Sequence, residues 1–308
     1  MTESKRPFLS VLSRLVRAQF APVMIAPVVL GGALAWHQAR AFDPGLFALA
    51  LLGSVSLLFA ANGIDDVYDQ LNGVDATVDR LFPKEFPGWK PITRGVITVR
   101  DGFVISGLFY CLSFVVGVYL SYLAGWLAIG IAVPGILLSY FYTAPPLKLD
   151  YRGLGLGEAS ILLSFGPIPC LGAYYVLTKG VALVAAVVPL STGLLTVDVL
   201  LMHDLIFFEA YKQAGKRSLA VVLGAGKTQR LVLAFALLAY LMIAAAVVVG
   251  WIPPPGLLCV AALPLLIWSR KGGASGRPPP QVFGTRTMRT FLHSVAFTFL
   301  LAIGLFFA

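Results

Sequence analysis

The densest group of acids in the chain is Asn62-Gly63-Ile64-Asp65-Asp66-Val67-Tyr68-Asp69, continued by Asn72-Gly73-Val74-Asp75 and Asp79. If this stretch is helical, Asn62, Asp66 and Asp69 fall at i, i+4 and i+7 and share one face, so two carboxylates and an amide converge. Oxygen ligands at that spacing suit a hard divalent cation. Magnesium is usually held by one or two carboxylates together with substrate phosphates, which makes a phosphate-bearing substrate the natural partner of such a site. The bland alternative is a solvated acidic loop that balances Arg80, Lys84 and Lys90. It fits poorly, because the acids follow an apolar run directly, and charge at the end of a membrane helix is costly unless a cavity, partner or ion compensates it.

Two further stretches carry chemistry. Tyr140-Phe141-Tyr142-Thr143-Ala144-Pro145-Pro146-Leu147-Lys148 leads into Asp150-Tyr151-Arg152-Gly153-Leu154-Gly155-Leu156-Gly157-Glu158. Here Arg152 can fork onto a phosphate, Lys148 can supply a point charge, and the glycines permit close backbone approach. Taken alone, Lys148 and Arg152 are equally well read as topology signals. The third stretch runs from His203 and Asp204 through Glu209 to Gly215-Lys216-Arg217-Ser218 and again sets acids and bases just beyond an apolar segment. Asp204 and Glu209 are five apart and point to different sides of an ideal helix. Three such loops can ring one polar funnel.

The elements that position these loops must be membrane helices. Hydrophobic residues make up 58% of the 308 and charged residues 12%, so a soluble fold would have nowhere to put this much apolar surface. We expect an all-α, polytopic membrane protein of about nine spans, near 18–36, 44–62, 102–121, 124–142, 157–177, 183–202, 230–250, 253–269 and 290–308, with breaks near 134 and 166. The chain reads as a single transmembrane domain over 1–308, in which 1–17 is a basic interfacial lead-in. Of the 23 Lys and Arg residues only Arg40 and Lys179 fall on the far side of this arrangement, which puts the N-terminus and all three charged loops in the cytoplasm and the protein in the inner membrane. The net charge of +9 follows from that topology and from attraction to lipid headgroups, and calls for no nucleic acid. Cys111, Cys170 and Cys259 lie far apart in apolar runs and read as small hydrophobes.

With these residues in view, the sequence resembles the UbiA-type intramembrane prenyltransferases, most of all the 1,4-dihydroxy-2-naphthoate polyprenyltransferase branch. The resemblance rests on Asp66-x-x-Asp69-x5-Asp75, on Lys90-Pro91-Ile92-Thr93-Arg94-Gly95, and on the strings YRGLGLGE (151–158), FGPIPCLGAYYVLT (165–178) and AGKRSLAVVLG (214–224). It implies a helical bundle around a cavity that opens sideways to lipid, and Mg²⁺-dependent transfer of a polyprenyl group from its diphosphate to an aromatic or quinone-precursor acceptor. Asp66, Asp69 and Asp75 would serve the metal. Lys148, Arg152 and Lys216 would face phosphate oxygens, with Asn62, Lys90 and Asp204 beside them, and Tyr68, Tyr140 and Tyr142 would line the path of the cation or touch the acceptor. Two departures stand out. Asp65 precedes Asp66 where the family usually has Asn. In the second motif the two positions that are usually aspartate, eight and four residues before Gly215, are Phe207 and Tyr211. The alternative that this opens is a noncatalytic relative that binds a prenyl lipid or quinone.

Overall fold

The computed structural model describes residues 7–82, 90–270 and 280–308. Among them every regular element is helical. The helices are α1 (Phe8–Leu15), α2 (Pro22–Ala39), α3 (Pro44–Leu71), α4 (Val74–Leu81), α5 (Val99–Ala124), α6 (Leu127–Phe141), α7 (Leu156–Ser164), α8 (Pro167–Thr178), α9 (Leu183–Val187), α10 (Leu190–Ile206), α11 (Phe208–Gln213), α12 (Leu219–Leu223), α13 (Ala225–Val248), α14 (Leu263–Arg270) and α15 (Pro280–Phe306). A 3₁₀ segment, Pro254–Ala262, leads into α14.

Seven segments are long and apolar enough to cross a membrane: Ala18–Ala39, Pro44–Leu71, Val99–Ala124, Leu156–Thr178, Leu183–Ile206, Ala225–Val248 and Pro280–Phe306. The other two expected spans correspond to the shorter apolar helices Leu127–Phe141 and Pro254–Arg270, so the expected count of nine is not reached by length among the described residues. Pro253, Pro254 and Pro255 explain the second case, since three successive prolines remove backbone donors and leave a tighter 3₁₀ start in place of another helical turn. The chain is an integral membrane protein.

The break expected near 166 is present: α7 stops at Ser164, and α8 restarts at Pro167. Near 134 the helix continues, and α6 carries Pro134 within it. Within the lead-in, Phe8–Leu15 form the short amphipathic helix α1, with Val11 and Leu15 buried and Phe8 and Leu9 exposed. Residues 1–6 lie outside the described residues.

Without a hydrophobic driving force between helices in lipid, tight packing depends on small residues that let backbones meet. A Cβ at Gly31 would overlap the carbonyl of Cys170, one at Gly193 that of Leu162, and one at Gly304 that of Pro255. These approaches hold α2 on α8, α10 on α7, and α15 on the Pro254–Ala262 segment. Around them packs the main apolar cluster, which includes Leu30, Leu34, Leu195, Ile243, Phe297 and Leu301. This leaves the space between α3, α5, α6, α7, α8 and α10 unfilled, and that space is the cavity.

Candidate active site

The first arm of the site is the end of α3. Asp66 and Asp69 are buried there, as the helical spacing predicts. Gly73, with φ of 77°, occupies the left-handed region that only glycine enters at no cost, and its N–H closes back on the carbonyl of Gln70 at 3.1 Å. The turn reverses the chain into α4 and returns Asp75 to the mouth. Lys90 then reaches in, its Nζ lying 2.8 Å from Asp75, 3.0 Å from Asp66 and 3.6 Å from Asp69. Arg17 closes the other flank, with Nη2 at 2.8 Å from Asp65 and 2.5 Å from Asp66. Asn62 donates its Nδ2 to the carbonyl of Val16 at 2.8 Å and so pins the N-terminal segment against α3.

The second arm follows α6. The 3₁₀ turn Leu149–Tyr151 buries Asp150, and the Tyr151 hydroxyl donates to Asp69 Oδ1 at 2.5 Å. Tyr142 lines the cavity, and its hydroxyl is buried without a hydrogen-bond partner. Lys148 and Arg152 stand differently. Lys148 Nζ donates to Asn72 Oδ1 at 2.7 Å, at the rim. Arg152 is exposed and donates to the carbonyls of Leu147 and Pro146 at 2.7 and 2.9 Å, which clamps its own loop. Neither lines the cavity, nor do Tyr68 and Tyr140, whose hydroxyls meet each other at 3.1 Å.

The third arm is α10 to α12. The helix is interrupted at Phe207, Asp204 is buried at the cavity wall, and Glu209 faces outward. Gly215, with φ of 74°, ends α11: its N–H bonds to the Lys212 carbonyl at 3.3 Å, and that of Lys216 bonds to the Tyr211 carbonyl at 2.9 Å. This paired closure turns the chain inward. A further tie, from the Leu219 N–H to Glu158 at 3.0 Å, holds the following residues on α7. Lys216 Nζ consequently lies 2.6 Å from Asp150 and 3.5 Å from Asp69, between the rings of Tyr211 at 4.7 Å and Tyr151 at 5.1 Å. Tyr211 therefore cages an ammonium at a position where the resemblance has an aspartate.

Burial sets the electrostatics. It pushes the Asp75 carboxyl up to about 7 and that of Asp150 up to about 6, with Lys90 and Lys216 respectively offsetting part of the rise. The same burial disfavours the two ammonium groups. Their carboxylate neighbours outweigh it, Asp66 and Asp75 at Lys90 and Asp150 and Asp69 at Lys216, and hold both lysines well above their ordinary range. The mouth thus carries fixed positive charge among carboxylates, a lattice into which anionic oxygens or a further cation can exchange.

Below the mouth the character changes. The cavity holds about 650 Å³, and its apolar part is lined by Leu57, Leu58, Val116, Leu120, Ile168 and Val176 among others. On α3 alone it follows one face from Asp69 down to Ala50, a run of about 28 Å at 1.5 Å per residue, which is close to the thickness of a hydrocarbon core. An amphiphile with an anionic head and a long apolar tail matches this shape.

The donor set also suits a divalent cation. One oxygen of each of Asp65, Asp75, Asp150 and Asp204 is buried without a hydrogen-bond partner, and Asp66, Asp69 and Asp75 already converge on one positive charge. Among the described residues no three acids, histidines or cysteines are gathered as a finished ligand shell. Magnesium needs none, because it keeps waters and shares its shell with substrate phosphates.

A charged mouth over a lipid-length cavity in an all-helical membrane bundle defines the class: the chain belongs to the UbiA prenyltransferase family, whose model matches residues 24–291. The protein is a prenyltransferase, and within the family it stands with the 1,4-dihydroxy-2-naphthoate polyprenyltransferase branch. It is 28% identical over 304 residues to the 1,4-dihydroxy-2-naphthoate octaprenyltransferase of Haemophilus influenzae, covering 94% of each chain. It is 33% identical over 220 residues to that of Mycobacterium tuberculosis, covering 70% of each. The structure of a UbiA homolog from Archaeoglobus fulgidus bound to DMAPP and Mg²⁺ shares the fold, with a TM-score of 0.65 at 16% identity over 95% of this chain and 99% of that one.

The site also contains residues that sequence reasoning did not place in it. Arg17 reads as one more basic residue before a span, Asp150 as a lone acid in a stretch read for its bases, and Tyr151 and Tyr211 as aromatics beside lysines. The signal for Asp150 was its position between Lys148 and Arg152, since a carboxylate among bases at a membrane surface needs a partner.

Proposed function

We propose that the protein transfers a polyprenyl group from its diphosphate to a ring carbon of a 1,4-dihydroxy-2-naphthoate-type acceptor, with Mg²⁺, at the inner membrane, and with its N-terminus and charged mouth toward the cytoplasm. The observation that carries this reading is the junction of the Asp66–Asp69–Asp75 and Lys90–Lys216 mouth with the long apolar cavity beneath it. The diphosphate sits at the mouth and the prenyl tail lies along α3. The bond between the allylic carbon and the diphosphate oxygen breaks, and its electron pair leaves with the diphosphate. A ring carbon of the acceptor then supplies the pair for the new carbon–carbon bond, and the ring loses a proton. Arg17, Lys90 and Lys216 place positive charge where the leaving group gains negative charge, and the low-dielectric surroundings make that charge count for more than it would in water. Asp66, Asp69 and Asp75 would hold Mg²⁺, which would supply further positive charge to the leaving group. Tyr142, at the upper wall of the cavity, presents a π-face to the allylic cation.

The test is release of inorganic diphosphate from geranyl or farnesyl diphosphate by the protein in detergent, with and without Mg²⁺ and 1,4-dihydroxy-2-naphthoate, and with the prenylated product identified by mass. Release that requires Mg²⁺ and acceptor is expected. If no prenyl donor gives Mg²⁺-dependent release, the reading fails.

A further inference from the structure

A second cavity, of about 170 Å³, lies outside the one described above and is lined by Met202, Gln229, Ser269, Arg270, Arg286 and Thr290. None of these residues borders the larger cavity. The side chains are built around two guanidinium groups. Arg286 is 5% exposed; its Nη1 donates to Gln229 Oε1 at 2.8 Å and its Nη2 to the Arg270 carbonyl at 3.2 Å, while its Nε is buried without a hydrogen-bond partner. Arg270 Nη2 donates to the backbone carbonyl of Gln229 at 2.8 Å. Gln229 thereby uses both of its oxygens to hold two arginines at one pocket.

Among the described residues neither arginine has a carboxylate within ion-pair distance. The acid whose field reaches Arg270 is Asp198, one helical turn deeper on α10 than Met202 and itself buried. Guanidinium does not discharge in proteins, so two of them lining one pocket without a carboxylate partner call for an anion. The volume is several times the roughly 30 Å³ share of one water, and the planar forks match the oxygens of a phosphate. Beside the pocket, the outer face of α14 is apolar and exposed: Ile267 is 61% and Trp268 41% exposed, with the Arg289 guanidinium 4.4 Å from the Trp268 ring. Tryptophan is enriched at the level of lipid headgroups, and basic pockets between membrane helices bind acidic lipid headgroups.

We propose that this pocket binds the phosphate of an anionic membrane lipid, with the acyl chains lying along the exposed face of α14. A free phosphate or diphosphate ion offers the same chemistry, and the experiment separates the two sources. Protein in detergent is mixed with phosphatidylglycerol or phosphatidylcholine and examined by native mass spectrometry, and its melting temperature is followed with added lipid, inorganic phosphate or inorganic diphosphate. The expected result is one retained phosphatidylglycerol per chain, no retained phosphatidylcholine, and a melting temperature that rises with phosphatidylglycerol alone. Retention should fall about tenfold or more in Arg270→Gln and in Arg286→Gln, through loss of a charge-assisted hydrogen-bond pair. Arg270 is half-buried and its replacement keeps the fold, which is checked by unchanged diphosphate release from the prenyl donor, since this pocket lies apart from that chemistry. Equal retention of both lipids, undiminished retention in Arg270→Gln, or stabilisation by the free ions alone would overturn the proposal, the first two results leaving the pocket a water-filled hydrogen-bond network.

Discussion

The two glycine turns at the mouth do similar work with opposite charges. Gly73 ends α3 and returns an acid, Asp75, to the site; Gly215 ends α11 and returns a base, Lys216. On the first side, three carboxylates gather around a lysine that is still 23% exposed. On the second, the lysine side chain is 4% exposed and caged by Tyr151 and Tyr211, and its acids, Asp150 and Asp69, come from different elements. The difference teaches that positive charge at the mouth has two origins: an exchangeable position on the α3 side, suited to a metal and its phosphates, and a built-in ammonium on the α11 side. Phe207 and Tyr211 occupy the usual aspartate positions, and on this side the Lys216 ammonium lies against Asp150 and Asp69.

The comparison is broken most directly at the first side. Asp66→Ala and Asp69→Ala should each lower Mg²⁺-dependent diphosphate release by about 10²–10³-fold or more, the usual loss when charge aimed at a leaving group is disordered; a small effect would mean that the exchangeable position lies elsewhere. On the second side, Lys216→Met leaves Asp150 and Asp69 buried without their ammonium. We expect a loss of about 3–5 kcal/mol in stability, read as a lower melting temperature in detergent. Asp150→Asn should restore part of it in the double variant, and strict additivity of the two changes would show that the pair is not coupled.

Asp204→Asn sharpens the contrast. As a carboxylate near the cation position without a part in the converging trio, it should raise the Mg²⁺ concentration needed for half-maximal release by about tenfold. An effect as large as that of Asp66→Ala would make the two sides equivalent. The smallest change is expected for Arg152→Ala. Its guanidinium binds its own loop, so diphosphate release should shift by less than about threefold, as for a surface residue. A drop comparable to that of Asp66→Ala would show that the arginine leaves the loop to meet the substrate.

Much of this molecule was legible in its residues. The apolar segments and their order follow from chain-long hydropathy, because a bilayer leaves backbone polar groups no partner but their own helix. The acidic face of α3 follows from spacing, because Asp66 and Asp69 belong to one helix whose period is set by its own hydrogen bonds. The eighth apolar segment is shorter as a helix than hydropathy suggests, because hydropathy does not register Pro253, Pro254 and Pro255 as lost backbone donors.

Tertiary structure alone decided which charges meet. Arg17 and Asp66 are separated by 49 residues and Tyr151 and Asp69 by 82, and no local rule couples them. Lys148, Arg152 and Lys216 are equivalent as basic residues near a membrane end, yet only Lys216 lines the cavity, because a glycine cap turns its side chain inward while Arg152 satisfies carbonyls of its own loop. The sequence by itself determined what kinds of groups reach the charged end of the bundle, since helix period and membrane energetics act locally. The pairing of those groups depends on how α3, α6 and α10 pack side by side, and that is a property of the whole fold.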